Sequence, residues 1–288
     1  STPKPSSGGS VVYKRQGVVT VGALVGMAAH LEGKGCSVLD IMGAAQKGGA
    51  VVSHIKVANQ PEELHSVELG AGSADLLLGC DLVVSASPEA LAKVRRGETR
   101  AIINSHNTPV AGFIHNPNLD FQSSANQKAI RKASGEKNSH FLEATKIATA
   151  LFGDSIATNV FMLGNAYQRG LVPVSADAIE RAIELNGVAV EMNKSAFAWG
   201  RLAAHDPEAA EAAAAGRAVV GSSVGALPTL VQHRRSGLIV EPDDAPALAN
   251  ALKQVDPGWG ANGPDMVAHL GLDQHSSVMR QIYDDLQS

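Results

Sequence analysis

The sequence is poor in cysteine. Among 288 residues only Cys36 and Cys80 carry thiols, far apart and outside any C-x-x-C or Cys/His cluster. That spacing argues against a disulfide framework, a zinc site and a self-contained iron–sulfur cluster. It suits two small core hydrophobes in a reducing compartment. Aromatic residues make up 4% of the chain, which leaves few stacking platforms, whereas 29 glycines imply many tight turns. Excess charge of one sign is also lacking: 24 Lys and Arg against 28 Asp and Glu give −4. That balance disfavours nucleic acid, or an anionic membrane surface, as the main partner. No apolar run approaches the roughly 18 residues that a membrane span needs. The opening Ser1-Thr-Pro-Lys-Pro-Ser-Ser-Gly-Gly-Ser10 has no apolar core of a secretory signal, so residues 1–16 read as a partly flexible leader. A soluble cytoplasmic protein is expected.

What is present is enough apolar surface to fold. Apolar residues are 44% and charged residues 18%, and at roughly 100–200 residues per domain the length suits one large or two modest domains. The run Gly17-Val-Val-Thr-Val-Gly22 leads into Ala23-Leu-Val-Gly-Met-Ala-Ala-His-Leu31, which has helical spacing. Apolar runs at 36–40, 51–57, 76–84 and 100–104 read as buried strands, with helical segments at 87–94 and 125–132. Buried strands alternating with helices imply an α/β fold with a mainly parallel, doubly wound sheet. From 141 to 202 the periodicity is helical, with Ser175 as a cap and Asn186-Gly187 as an interruption. Beyond an alanine-rich stretch at 205–216, a strand (217–221), a turn (225–228), a hairpin-like segment (236–240) and a helix (245–255) form a second, small α/β segment.

Two segments carry chemical content. In Gly43-Ala-Ala-Gln-Lys-Gly-Gly-Ala-Val-Val-Ser-His54, Gly48 and Gly49 let backbone amides approach a ligand while Lys47 adds positive charge, which suits an anion. Spacing alone favours the plainer alternative, a glycine-rich turn with a solvated lysine. In Gly153-Asp-Ser-Ile-Ala-Thr-Asn-Val-Phe-Met-Leu-Gly164 the polar half suits a cofactor contact, and the favoured alternative is a helix start capped by Asp154 or Ser155. His30, His54, His65, His106, His115 and His140 show no ligand spacing and read as structural residues. His54 is the exception, because it adjoins the Lys47 loop and titrates near neutrality. No Ser/His/Asp arrangement and no placeable carboxylate pair emerge, so no catalytic residue and no metal ligand is assigned.

Residues 17–207 resemble the gamma-type domain of 2-oxoacid:acceptor oxidoreductases, most closely those acting on indolepyruvate with ferredoxin. The resemblance rests on the strings 17–34, Ala45-Gln-Lys-Gly-Gly49 with Ser53-His54, Gly153-Asp-Ser-Ile-Ala-Thr-Asn159 and 184–194. It implies oxidative decarboxylation of an aryl pyruvate to an acyl-CoA. Thiamine diphosphate, Fe4S4 clusters and CoA would sit in partner domains, ferredoxin would be reached through them, and the chain alone would hold no cofactor and be inactive. Such a gamma domain is a Rossmann-like lid and assembly module. Lys47, Gly48, Gly49 and His54, with Asp154, Ser155, Thr158 and Asn159, would then face cofactor or partner. Self-association into a homo-oligomer stays open. One departure matters: where the family has a glycine-rich loop, this chain has Ser10-Val-Val-Tyr-Lys-Arg-Gln16. Anion-cradling amides are lost there, which calls that loop's ligand role into question.

Residues 211–288 resemble the nucleotide-sugar half of a GT-B retaining glycosyltransferase. In that family two glutamates eight positions apart grip the donor. Glu211 matches the second, but position 203 is Ala203; Gly225 and Leu227 match the donor-facing turn. Domains are thus expected at 17–207 and 208–288 after the leader. Two alternatives accompany the oxidoreductase reading: a nucleotide-sugar-binding or glycosyltransferase fragment, and a recombined, non-catalytic chimera.

Overall fold

The computed structural model describes residues 9–42, 51–106, 123–217, 219–223, 231, 237–242 and 244–256. Helix α1 (Gly9–Leu31) takes in the apolar run 17–22 as well as the helical stretch after it. With Ser10 to Gln16 in place of a glycine-rich turn, no residue there breaks the helix. Val21, Leu24, Val25, Ala28 and Ala29 are all buried, a stripe at helical spacing that fixes which face of α1 meets the core.

Strands β1 (Gly35–Met42) and β2 (Val51–Ala58) pair from Gly35 opposite Ala58 to Met42 opposite Val51. They are antiparallel, unlike the mainly parallel arrangement expected. The physical reason is length: residues 43–50 are too few for the crossover of a dozen or more residues that a parallel pair requires.

The parallel layer follows. Strand β3 (Leu76–Gly79) is succeeded by α2 (Leu82–Ser85) and α3 (Pro88–Ala92), then β4 (Arg100–Asn104), α4 (Ser123–Ser134) and β5 (Ser139–Leu142). The strands lie in the order β3-β4-β5, all parallel. Ala101 and Ile103 enter one apolar cluster with Leu82 and Ile130. Ile102 enters the main core on the other face. Alternate residues of β4 therefore bury on opposite faces, as a sheet covered on both sides demands. The chain is a mixed α/β protein built on a parallel sheet, as its sequence implies.

The helical half comprises α5 (Ala144–Phe152), α6 (Thr158–Gln168), α7 (Ala176–Asn186) and α8 (Val190–His205). The Ser175 hydroxyl accepts the Ala178 amide, and Gly187 closes α7 at φ 70°. Both boundaries follow from local chemistry. Helices α6 and α8 cross backbone to backbone. A Cβ at Gly164 would stand 2.1 Å from the Phe197 carbonyl oxygen, and one at Gly200 would stand 1.9 Å from that of Phe161.

A polar clasp joins the end of α1 to the start of α7. Glu32 Oε1 accepts the Ser175 amide at 2.7 Å, and Lys34 Nζ lies 2.8 Å from Glu32 Oε2. Lys34 Nζ also donates to the Pro173 carbonyl at 2.6 Å.

Helix α9 (Pro207–Ala214) follows α8 with only Asp206 between them. Strands β6 (Val219–Ser222) and β7 (Gly237–Val240) and helix α10 (Ala245–Gln254) complete the described chain. Segment 236–240 was expected to be hairpin-like, yet β7 pairs with β6 in parallel, Val219 opposite Gly237. The intervening residues 223–236 are numerous enough for a crossover, so the antiparallel expectation fails. Ala210, Ala213, Val219 and Val231 belong to the same apolar core as α5, α6 and α8.

Candidate functional site

In open parallel sheets, side chains at the carboxyl ends of the strands converge on a crevice where ligands bind. Here that edge is organised by Asn104, the last residue of β4 and 3% exposed. Its Nδ2 donates to the Cys80 carbonyl beyond β3 (3.1 Å) and to Thr145 Oγ1 at the start of α5 (2.8 Å). Its Oδ1 accepts the amides of His106 (3.2 Å) and Thr145 (3.4 Å). One amide side chain thus ties together the segments leaving all three strands, with both ends of its hydrogen-bonding capacity used.

Thr158, buried at the first position of α6, lies with its hydroxyl 3.5 Å from that of Thr145. Above this floor the rim is exposed. Ser105 Oγ donates to Glu143 Oε1 at 2.7 Å, and His106 Nδ1 lies 3.8 Å from Glu143 Oε2. The carboxylate stands between hydroxyl and imidazole, so His106 does not receive the Ser105 proton and no nucleophilic triad forms. The Cys80 residue surface is only partly covered, but loss of solvation, with a smaller contribution from the Asp81 carboxylate, pushes its thiol up to about 12. It is a thiol, not a thiolate, at neutral pH. Among the described residues the arrangement can bind and orient polar groups.

The residues singled out from sequence distribute unequally around this edge. Gly153 closes α5 at φ 72°, and the half-buried Asp154 accepts the Ile156 amide at 2.9 Å, capping the turn at Ser155–Ala157. Ser155 is exposed and Asn159 half-buried; Thr158 alone reaches Asn104's network. His54 lies on β2, opposite Leu39 and 4% exposed. Its Nδ1 accepts the Leu69 amide at 3.3 Å, which leaves Nε2 carrying the proton of the neutral ring. Burial lowers its pKa, helped by Lys93 and Lys56 and opposed by Glu68. Its partners therefore come from the segment after β2 and not from the strand ends. Lys47, Gly48, Gly49, Gly225 and Leu227 lie outside the described residues. Glu211 is exposed on α9 and, with Ala203, lines a cavity of about 280 Å³.

Sequence reading missed Asn104, Ser105, Glu143 and Thr145. The one available signal was a polar residue closing the apolar run 100–104. Among the described residues no three His, Cys, Asp or Glu side chains gather where a metal ion could sit, and no helix is long and apolar enough to cross a membrane.

Comparison with known proteins places this architecture. The chain is 27% identical over 201 residues to indolepyruvate oxidoreductase subunit IorB of Pyrococcus horikoshii, covering 66% of this chain and 92% of the relative. It is 25% identical over 199 residues to the subunit of that name from Thermococcus kodakarensis, with the same coverages. Among solved structures it is similar to pyruvate oxidoreductase subunit PORC of Thermotoga maritima, at 21% identity and TM-score 0.43, covering 65% of this chain and 89% of that one. Residues 208–255 match the family model described as glycosyl transferases group 1. Residues 16–203, from within α1 to near the end of α8, match the model described as pyruvate ferredoxin/flavodoxin oxidoreductase, and the chain belongs to that family.

Proposed function

We propose that this chain is a gamma-type component of a thiamine- and iron–sulfur-dependent 2-oxoacid:ferredoxin oxidoreductase, inactive alone. Its substrate class would be aryl pyruvates of the indolepyruvate kind, converted to acyl-CoA. One observation carries the reading: the match to the two indolepyruvate oxidoreductase subunits runs over 92% of each. Thiamine diphosphate, Fe4S4 clusters and CoA belong to the partner subunits in this reading. With two cysteines in the whole sequence, this chain cannot supply the four thiolates such a cluster takes. A cytoplasmic location and a division at about residue 207 accompany the proposal.

In this role the chain's residues position and seal; they do not react. In this reading Lys47, Gly48 and Gly49 would contact an anion, with His54 adjacent to them in the sequence. Asp154, Ser155, Thr158 and Asn159 line the edge that meets a cofactor or subunit. Thr158 has the best physical support, because it joins the Asn104 network at the carboxyl end of the sheet. Mass photometry of the chain, alone and with thiamine-bearing subunits of an indolepyruvate oxidoreductase, tests the assembly. A stable complex is expected. A folded chain that forms none, or one that decarboxylates an aryl pyruvate unaided, would overturn the component reading.

The match of residues 208–255 to glycosyl transferases supports a second reading, a nucleotide-sugar-binding segment using Glu211. Calorimetry with UDP- and GDP-sugars separates it, and no heat at millimolar ligand would sink it.

A further inference from the structure

The charges of this chain are unevenly placed. Residues 95–100 and 131–137 hold six of its 24 Lys and Arg: Arg95, Arg96, Arg100, Arg131, Lys132 and Lys137. Of its 28 Asp and Glu they hold only Glu98 and Glu136. These 13 residues carry +4 in a chain of −4, so the rest of the sequence carries −8.

The fold gathers the two segments onto one surface. The turn between α3 and β4 closes on the end of α4, where the Gly97 amide donates to the Ser134 carbonyl at 2.9 Å. Arg100 opens β4, and its Nη1 donates to Asn138 Oδ1 at 2.9 Å in the turn that leads into β5. Both segments thus lie at the amino end of the parallel strands, opposite the Asn104 network. Arg131 is half-buried and the other five cations are exposed. Arg95 pairs with Glu98 at 2.7 Å, and Arg131 pairs with Glu136 while stacking 4.6 Å from the Phe141 ring centroid. Among the described residues no carboxylate lies within 4.0 Å of Arg96, Arg100, Lys132 or Lys137. The exposed Asp75, whose carbonyl accepts the Arg100 amide at 2.9 Å, reduces the excess to three positive charges. Arg131 and Lys132, in the last turn of α4, offset the negative end of its dipole, about half a charge. Arg96, Arg100 and Lys137 lie outside that helix and have no such role. Their mutual repulsion works against the compact state unless something acidic meets them.

We infer that this basic surface docks an acidic face of a partner protein. Charge complementarity selects that occupant, because exposed cations of this kind steer an approaching partner and fix its orientation. A nucleic acid or an anionic membrane would extend past the patch and meet the acidic remainder of the chain. The Phe141 ring, already covered by Arg131, leaves no platform there for a base. A small acidic protein face matches the patch without reaching that remainder. The surface is at the other end of the sheet from the Asn104 network, so a failure here leaves the proposed assembly untouched.

Fluorescence anisotropy of a labelled poly-glutamate peptide, titrated with the full chain at about 20 and about 200 mM salt, tests the docking. Binding at the lower salt that weakens severalfold at the higher is expected. Arg96→Glu combined with Lys132→Glu should weaken it by about tenfold or more at the lower salt. Lys146→Glu combined with Lys253→Glu reverses two exposed lysines of α5 and α10. It changes the net charge equally and should weaken binding by no more than about twofold. Arg96→Gln combined with Lys132→Gln adds no new carboxylate and should give an intermediate loss of about threefold, which a fold damaged by charge reversal would not produce. A single-stranded oligonucleotide and phosphatidylserine vesicles serve as competing probes. Tighter binding of either than of the peptide would overturn the inference. So would no peptide binding at the lower salt, or equal losses in the two charge-reversed pairs.

Discussion

Replacing Glu32 by Gln keeps the shape of the clasp between α1 and α7 but removes its charge. The Gln carbonyl can still accept the Ser175 amide, whereas attraction to Lys34, 2.8 Å away, is lost. Hydrogen bonds from Lys34 and Ser175 hold the Glu32 carboxyl at about 2, against an ordinary 4.5. That difference corresponds to at most about 3 kcal/mol of folding stability. The carboxylate and Lys34 are both half-buried, with water reaching each, so solvent screening reduces the expected loss to about 1 kcal/mol. The sign follows from the depressed folded-state value. The stabilisation is fully present above pH 4.5 and disappears as the pH falls towards 2. Urea unfolding followed by circular dichroism at pH 7, 5 and 3 should therefore show E32Q less stable than the parent at pH 7. More than half of that gap should be gone at pH 3. A gap independent of pH, or a K34M variant whose loss adds fully to that of E32Q, would refute the ionic account of the clasp.

Three further outcomes are expected. Gly200→Ala forces a methyl to within 1.9 Å of the Phe161 carbonyl oxygen and should cost about 3 kcal/mol or more, read as a lowered melting temperature; a neutral result would mean that α6 and α8 can separate freely. Asn104→Leu leaves the Cys80 carbonyl and two backbone amides without their partner and should cost about 2–4 kcal/mol in denaturant titration. Its loss should exceed that of Ser105→Ala, which touches only the exposed rim. Cys80, with its thiol at about 12, should react with iodoacetamide at pH 8 about a thousandfold more slowly than an ordinary thiol, as mass spectrometry of the native protein would show; labelling at the rate seen in urea would contradict the raised thiol pKa.

Local chemistry was readable from the sequence; distant pairing was not. Ser175 and Gly187 announce the ends of α7 because a cap and a left-handed glycine act within one turn. The alternating burial of β4 follows from its run of apolar residues. The direction of β1 against β2, by contrast, leaves no mark on an apolar run, and only the shortness of residues 43–50 decides it. Asn104 is harder still. It is one polar letter at the end of a strand, and its partners Cys80 and Thr145 stand 24 and 41 positions away. The motif 153–159 was recognisable as a string, but which of its side chains turns inward depends on how Asp154 caps the turn before α6. The cavity beside Glu211 draws on residues from Arg131 to Glu211, and no spacing rule spans that distance.

The packing of α9 sets a boundary condition on any assembly. Ala210 and Ala213 lie in the same core as Ala148, Leu151 and Leu202, so α9 occupies the outer flank of α5 and α8. A subunit docking onto this chain must approach from another side, or dislodge α9 and expose those alanines and leucines to water. Among the described residues, no helix would have to be dislodged to reach the strand ends around Asn104. A protease survey of the assembled complex would accordingly find the junction at Asp206 as protected with partners as without them, while cleavage near Ser105 and Glu143 would change on assembly.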